Sequence, residues 1–179
     1  MPLTAKQRGV LRKIVLGFGI SIITLGLAIY LAPARYLPGI EVQERLAFTF
    51  GWDSVLVLCL VISIGRLARF RFFSPEDIDG GGLSDGTRQA KSLQAILQNT
   101  LEQTVLGIAV HLAWSFTMPL TWQAAVPAAA LLFLAGRILF MAGYNSGAPA
   151  RALGFALTFY PSVIMLAAVL NSLIGRIVS

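Results

Sequence analysis

Five polar side chains stand in segments that are otherwise almost wholly apolar, and their types suit the binding of an anion. They are Asn99, Glu102, Arg137, Tyr144 and Arg151. A charged side chain inside hydrocarbon costs a few kcal/mol or more, so an intramembrane glutamate or arginine is by default a candidate functional residue. An arginine beside a thiol also lowers the thiol's pKa and raises the reactive thiolate fraction. These residues therefore predict an anion or thiolate site.

The spacing predicts that these side chains lie at one depth. Asn99 and Glu102 are three residues apart and share one helical face, as do Arg137, Phe140 and Tyr144 on a later segment. Arg137 lies about 10 Å deeper than Tyr144 at a rise of about 1.5 Å per residue. Glu102 reaches a similar depth from the same side. The spacing thus allows an ion pair or a shared hydrogen-bond network between Glu102 and Arg137.

Arg151 follows a short connection that contains Gly147 and Pro149. Proline suits an early helical position, so Arg151 is expected in the first turn of a new helix. Backbone N–H groups, the positive helix end and the guanidinium would together attract a carboxylate, a phosphate or a thiolate.

Each of these residues also has a purely structural interpretation. Glu102 and Arg137 could form a buried pair that only sets the register of two helices. Arg151 could be an ordinary cationic flank of a span, and Tyr144 an interfacial aromatic residue. Spacing alone leaves both interpretations open.

The elements that position these residues are membrane helices. Hydrophobic residues make up 56% of the 179 and charged residues only 12%, which is too apolar for a soluble domain of this size. A spanning helix needs about 20 apolar residues. Segments of that length with few or no charged side chains occupy residues 14–34, 46–65, 92–136 and 152–175. The chain is therefore predicted to be an integral membrane protein.

The third apolar segment is long enough for two helices. Pro119 and Trp122 at its middle indicate an interfacial turn. We therefore predict five spanning helices, at residues 12–34, 48–68, 91–117, 122–145 and 150–176.

The distribution of lysine and arginine predicts the orientation. Most cations fall on one side, in the N-terminal tail, the loop 66–91 and the last connection, whereas the other side has only Arg35, Arg45 and Arg176. This places the N-terminus in the cytoplasm and the C-terminus outside. The net charge of +6 reflects this bias and suits contact with anionic lipid. We expect no nucleic-acid partner.

Two segments have competing interpretations. The first apolar segment resembles a signal peptide with a cleavage site at Ala32-Pro33-Ala34, but its spanning length and the proline favour a retained helix. The loop 66–91 contains Gly80-Gly81-Gly82 and Ser84-Asp85-Gly86, which we interpret as a flexible connection after a short helix or turn at 74–77. No Lys-Ser/Thr follows the glycines at the spacing of a phosphate-binding loop.

Three further residues are expected to have structural rather than catalytic roles. His111 is expected to be hydrogen-bonded inside the bundle, Asp53 to be interfacial or capping, and Cys59 to be a buried, inert thiol. No spacing predicts a metal site.

The pattern Asn99-x-x-Glu102, followed one helix later by Gly136-Arg137-x-x-Phe140-x-x-Gly143-Tyr144 and then by Arg151, resembles the MAPEG family. These are membrane-associated proteins of eicosanoid and glutathione metabolism. The resemblance covers about residues 46–176. It implies an all-α integral membrane fold with the family's four-helix bundle at 46–179, preceded by a tail and one additional N-terminal transmembrane helix at 1–45, in a bacterial-type member.

The resemblance also implies a homotrimer in a bacterial inner membrane, with glutathione held between subunits near the cytoplasmic side. Asn99, Glu102, Arg137 and Tyr144 would contact glutathione, and Arg151 would be the catalytic arginine that stabilises its thiolate. Two positions depart from the family pattern. Ala95 stands where an arginine often precedes the asparagine, and Phe140 where a tyrosine is common.

Three functions compete at this point. The first is glutathione-dependent transfer to, or peroxide reduction of, a lipophilic substrate drawn from the bilayer. The second is a non-catalytic membrane protein that binds a lipid or a protein partner. The third, a small transporter, is disfavoured because the polar residues cluster at one side.

Overall fold

The computed structural model describes residues 2–81, 83 and 85–178, and within these ranges the chain folds into five α-helices without a β-strand. The helices are α1 (Ala5–Leu31), α2 (Val42–Phe72), α3 (Arg88–Thr117), α4 (Ala125–Gly143) and α5 (Ala148–Val178). One-turn 3-10 helices lie at Ala34–Tyr36, Leu120–Trp122 and Tyr144–Ser146. The predicted all-α class is confirmed.

Most helices begin earlier or end later than the apolar segments predicted, because their charged ends stay helical. α1 begins at Ala5 because Thr4 and Gln7 form a capping box, in which each side chain accepts a hydrogen bond from the other residue's backbone N–H. α1 ends at Leu31, shortly before Pro33, because a proline disfavours helical geometry in the residue before it. Residues 75–79 of the loop after α2 form turns, and the predicted flexible segment includes Gly82 and Ser84, which lie outside the described residues.

In the part of the chain that the structure describes, four helical segments are long and apolar enough to cross a membrane: Ala5–Leu31, Val42–Phe72, Leu120–Ser146 and Ala148–Ile177. α3 falls outside this set because its sequence carries more polar residues. Of the five predicted spans, four therefore meet the criterion and α3 does not, although α3 packs antiparallel along nearly the whole length of α2.

Paired polar side chains mark the register of α2 against α3. Thr49 Oγ1 lies 2.5 Å from Ser115 Oγ, Ser63 donates to Thr100 at 3.4 Å, and Arg71 donates to Gln94 at 3.2 Å. As the residue number rises along α2, the number of its partner on α3 falls by about the same amount, so the two helices pack antiparallel without a shift in register. The polar residues of α3 thus include a buried set that faces its neighbours in the bundle, among them Thr100, His111 and Ser115.

α1 packs mainly against α5. The contact is close at Gly17, where a Cβ atom would lie 2.4 Å from the Cβ of Ala156, and at Gly9, where it would lie 3.3 Å from Pro149. Small residues let two helix backbones approach in this way. α1 is therefore part of the same bundle as the four helices that follow it.

Candidate functional site

A cleft of about 330 Å³ collects residues from four helices near the connection between α4 and α5. Three of the five predicted site residues line it, Asn99 from α3, Tyr144 just after α4, and Arg151 from α5. The other lining residues are mostly apolar: Val10, Ile14, Ala95, Phe140, Ala148, Ala152 and Phe155. Both departures from the family pattern, Ala95 and Phe140, thus lie in the wall of this cleft.

Arg137 lies behind the cleft rather than in its wall. Its side chain is 1% exposed, and its guanidinium donates to Asn99 Oδ1 at 2.9 Å and to Thr158 Oγ1 at 2.7 Å. The guanidinium also lies over the ring of Phe140, 4.5 Å from its centroid. Among the described residues no carboxylate pairs with it. Hydroxyls, an amide and aromatic faces therefore stabilise this buried cation.

The contact with Arg137 fixes which way the amide of Asn99 points. A guanidinium can only donate hydrogen bonds, so the amide oxygen of Asn99 must face it. The amide NH₂ group is then left on the side away from Arg137. Because Asn99 also lines the cleft, Arg137 holds the orientation of an amide that belongs to the cleft wall.

Arg151 is held in place by Tyr144. The guanidinium carbon of Arg151 lies 4.3 Å from the centroid of the Tyr144 ring, which is cation–π geometry. As predicted, Arg151 is in the first turn of a helix, since α5 begins at Ala148. Among the described residues no carboxylate pairs with Arg151. Its charge is therefore available to an anion in the cleft.

Glycines bring α4 and α5 close enough to form this site. A Cβ atom on Gly154 would lie 2.3 Å from the backbone nitrogen of Phe140, and one on Gly143 would lie 2.6 Å from the carbonyl oxygen of Ala150. Gly147, in the connection, has φ +97 and ψ 178, a region that is essentially restricted to glycine. Gly143, which belongs to the pattern that resembles the family, thus has a packing role that the spacing argument did not include.

Glu102 does not pair with Arg137, so the ion pair that the spacing allowed is absent from the structure. The side chain of Glu102 is exposed and accepts a hydrogen bond from Gln98 Nε2 at 2.9 Å. Equal depth was insufficient, because Arg137 reaches α3 beside Asn99 and Thr100, and Glu102 projects to another side of that helix. Glu102 lies outside the wall of the cleft.

Asp53 and His111 form a buried pair that the sequence analysis did not connect. His111 Nδ1 lies 2.5 Å from Asp53 Oδ1, and both side chains are almost fully buried between α2 and α3. The prediction for His111 is confirmed, whereas the interfacial position expected for Asp53 is wrong. The two residues are far apart in the chain, and only the antiparallel register of α2 and α3 brings them together.

Among the described residues no three potential ligands lie close enough to hold a metal ion.

A second cavity, of about 410 Å³, adjoins the cleft at Ala95, which lines both. Its wall includes two cations, Arg71 from the end of α2 and Lys91 from α3, and two carboxylates of the α2–α3 connection, Asp77 and Asp85. Cationic side chains therefore stand close to the position where this chain has alanine. The α2–α3 connection forms the far side of this cavity.

Asp77 organises that connection. Its carboxylate accepts hydrogen bonds at 2.8 Å from the backbone N–H and the hydroxyl of Thr87 and from the hydroxyl of Ser74. The backbone hydrogen bond from Thr87, together with the two hydroxyls and the charge of Arg71, lowers the pKa of Asp77. Because Thr87 is the N-cap of α3, this carboxylate ties the loop to the start of the helix that carries Asn99.

Comparison with known proteins adds one finding. The model of the MAPEG family matches residues 46–171, from the first turns of α2 into α5. α1 lies outside the matched region. No curated protein and no solved structure matches the chain.

Proposed function

The chain belongs to the MAPEG family, and from this premise we propose that it is a membrane-embedded glutathione-dependent transferase or peroxidase acting on a lipophilic electrophile. The observation that carries the proposal is the convergence of Asn99, Tyr144 and Arg151, from three parts of the chain, on one cleft. Helices long and apolar enough to span a bilayer make it an integral membrane protein of that family.

The residues of the cleft fit a peptide thiol. Bound glutathione would supply the sulfur that attacks an electrophilic carbon or, as two thiols oxidised to a disulfide, reduces a peroxide to an alcohol and water. Arg151 would hold the negative charge of the thiolate and lower the thiol's pKa. Asn99 would donate from its amide to a carbonyl or carboxylate oxygen, and Tyr144 would hold Arg151 in position and offer its hydroxyl.

Two neighbouring cations suit the rest of such a ligand. Arg71 and Lys91 line the cavity that meets the cleft at Ala95. Lys91, one helical turn before Ala95, would replace the arginine that is common in the family, and Arg71, which also faces Asp77, would add a second cation. A carboxylate of glutathione would lie between these side chains and Asn99.

Arg137 and Glu102 lie outside the cleft wall, so their contributions to ligand binding would be indirect. Arg137 touches Asn99 from behind and is therefore a positioning residue for its amide. Glu102 is exposed on a helix that runs beside a spanning helix. An ionised carboxylate facing lipid is costly, which favours burial of this face of α3 against another copy of the chain. A homotrimer, with glutathione contacts completed between subunits, would provide that burial.

The proposed position is the bacterial inner membrane, with the N-terminus and the cleft on the cytoplasmic side and the C-terminus outside. The cations of the N-terminal tail and of the α2–α3 loop support this orientation. Reduced glutathione is a cytoplasmic thiol, so this orientation would give it direct access to the cleft.

The alternative is a non-catalytic family member that binds a lipid or a protein partner in the same cleft. It is favoured by Ala95 and Phe140, which remove a cation and a hydroxyl from the cleft wall. The apolar side chains that predominate there would suit such a ligand.

Glutathione binding and thiol turnover by the purified protein distinguish the two functions. We expect calorimetric binding of glutathione and conjugation of a chloronitrobenzene. Arg151→Ala should reduce turnover by about a hundredfold or more, the size of effect seen when a preorganised electrostatic group is removed. Arg88→Ala is the matched control, because Arg88 is exposed and lies outside the cleft. Binding without turnover would favour the alternative, and the absence of both would rule out the enzyme.

A further inference from the structure

A third cavity, an apolar groove of about 470 Å³, runs along the first turns of α1. Its volume is within the range of about 300–1,000 Å³ that is usual for small-molecule sites. Four aliphatic side chains form most of its wall, and polar side chains are contributed by Thr4, Lys6 and Gln7. The aliphatic residues are Leu3, Val10, Leu11 and Ile14.

This groove adjoins the cleft that contains Arg151. Val10, Ile14 and Ala148 line both cavities, so the two are directly adjacent. Ala148 is the first residue of α5 and stands one helical turn before Arg151. The cleft that carries Arg151 and the apolar groove are therefore neighbouring cavities, one with cationic and aromatic side chains and the other with mostly aliphatic ones.

We propose that α1, the helix outside the family match, builds the subsite for the apolar tail of the lipophilic substrate. The inference rests on the proposed function and specifies its substrate class: a single-chain amphiphile with an electrophilic head, such as a long-chain alkenal. The head lies beside Arg151, and the chain follows Val10 and Ile14 into the groove.

The polarity of the walls supports this occupant over glutathione. A peptide with two carboxylates and an ammonium would leave charged groups unpaired against Leu3 and Leu11, which is strongly unfavourable. A hydrocarbon chain instead gains free energy in proportion to the apolar surface that it buries. The end of α1 also carries Lys6, Arg8, Arg12 and Lys13, which places the groove at the predicted membrane interface, where an acyl chain can enter from the bilayer.

The reaction that reports on the groove is conjugate addition to an alkenal. The sulfur forms a bond to the β-carbon, the π electrons move to the α-carbon, and that carbon takes up the proton released by the thiol. Crotonaldehyde is the short substrate, which fits the cleft alone, and nonenal is the long one, which needs the groove.

Leu11→Asn tests the groove, and Leu16→Asn is its matched control. Leu11 is 48% exposed and lines only the groove, whereas Leu16 is 49% exposed on the same helix and lines neither cavity. We expect Leu11→Asn to raise KM for nonenal about tenfold, the effect of losing the burial of one or two methylene groups. The KM values for crotonaldehyde and glutathione should stay unchanged, and Leu16→Asn should alter none of the three. Equal effects on both alkenals, or equal effects of both variants, would overturn the proposal.

Photolabelling separates failure of the subsite from failure of the proposed function, because it needs no glutathione. A long-chain alkenal with a diazirine at the end of its chain should label the peptide 3–14 of the protein in nanodiscs, and Leu11→Asn should reduce the label about tenfold while Leu16→Asn does not. If this labelling pattern were found in a protein that does not bind glutathione, the subsite would be supported and the proposed glutathione-dependent activity would be rejected. Label spread evenly along α1 would mean that bilayer lipid fills the groove. A change in oligomer size in Leu11→Asn would mean that a second copy covers it. Either outcome would overturn the proposal.

Discussion

Arg137 and Asn99 are joined by a 2.9 Å hydrogen bond between α4 and α3, and of the two only the asparagine lines the cleft, whereas the arginine is buried. The amide is thereby turned so that its donors face away from the arginine. Arg137, whose type suggested direct contact with an anion, thus contacts the cleft residue Asn99 instead.

Replacing Arg137 tests this positioning role. Arg137→Met should lower the free energy of unfolding by about 1–3 kcal/mol for each buried partner left without a donor. It should also weaken glutathione binding, because the amide of Asn99 would be free to rotate. Thr158→Val is the control, since it removes another contact of Arg137 and leaves Asn99 held. Thermal unfolding and calorimetric titration give the two readouts, and equal glutathione affinity in Arg137→Met and wild type would contradict the role.

The Tyr144 ring and its hydroxyl can be separated by two substitutions. Tyr144→Leu removes the ring over which Arg151 lies and should lower turnover about tenfold, in line with a cation–π contact of about 0.5–2 kcal/mol. Tyr144→Phe keeps the ring and should preserve both turnover and the ultraviolet absorbance of the bound thiolate. If turnover in Tyr144→Phe fell as far as in Tyr144→Leu, the hydroxyl rather than the ring would be the functional group.

The contact between Gly17 and Ala156 should decide whether α1 docks on α5. A Cβ atom at position 17 would lie 2.4 Å from the Cβ of Ala156, whereas one at Gly19 would meet nothing within 4 Å. Gly17→Leu should therefore destabilise the protein by about 1–3 kcal/mol, the usual cost of overpacking. Gly19→Leu makes the same change without the clash. Similar melting temperatures for the two variants would show that α1 is not held there.

Glu102 should report on self-association. Its side chain is exposed in the single chain, beside that of Leu101, which is 41% exposed. If a second copy covers this polar face, Glu102→Ala should shift the oligomer toward smaller species, measured by light scattering after size-exclusion chromatography. Leu101→Ala should have a smaller effect. An unchanged oligomer in Glu102→Ala would place the subunit contact elsewhere.

Asp77 should make stability depend on pH. The hydrogen bonds from Thr87 and Ser74 keep the pKa of Asp77 in the folded protein below its unfolded value. Its charged form therefore stabilises the protein above the unfolded pKa, and this contribution is lost as pH falls through the folded pKa. Asp77→Asn should thus melt below wild type at neutral pH and approach it in acid. Asp79→Asn, at an exposed carboxylate of the same loop, should match wild type throughout.

Much of the architecture was predictable from local patterns in the sequence. Uncharged segments predicted the helices, and Pro33, Pro119 and Gly147 lie where helices end or chains turn. The predicted positions of the helix ends were less accurate, because charged side chains at the membrane interface do not interrupt a helix and most helices extend beyond their apolar segments. The placement of Arg151 in the first turn of α5 was also correct, since it depends only on residues close in the chain.

The relations between helices needed the tertiary structure. Spacing along one helix defines a face and a depth, but it does not define how far the helix is rotated toward each neighbour. The spacing therefore allowed a contact between Glu102 and Arg137 that the structure lacks, whereas Asp53 and His111, which had been assigned separate roles, share a hydrogen bond. The sequence by itself determined which segments are apolar helices and which polar groups they carry. Only packing between helices decided which groups face one cleft, because contacts between distant segments depend on how side chains of every helix fit together.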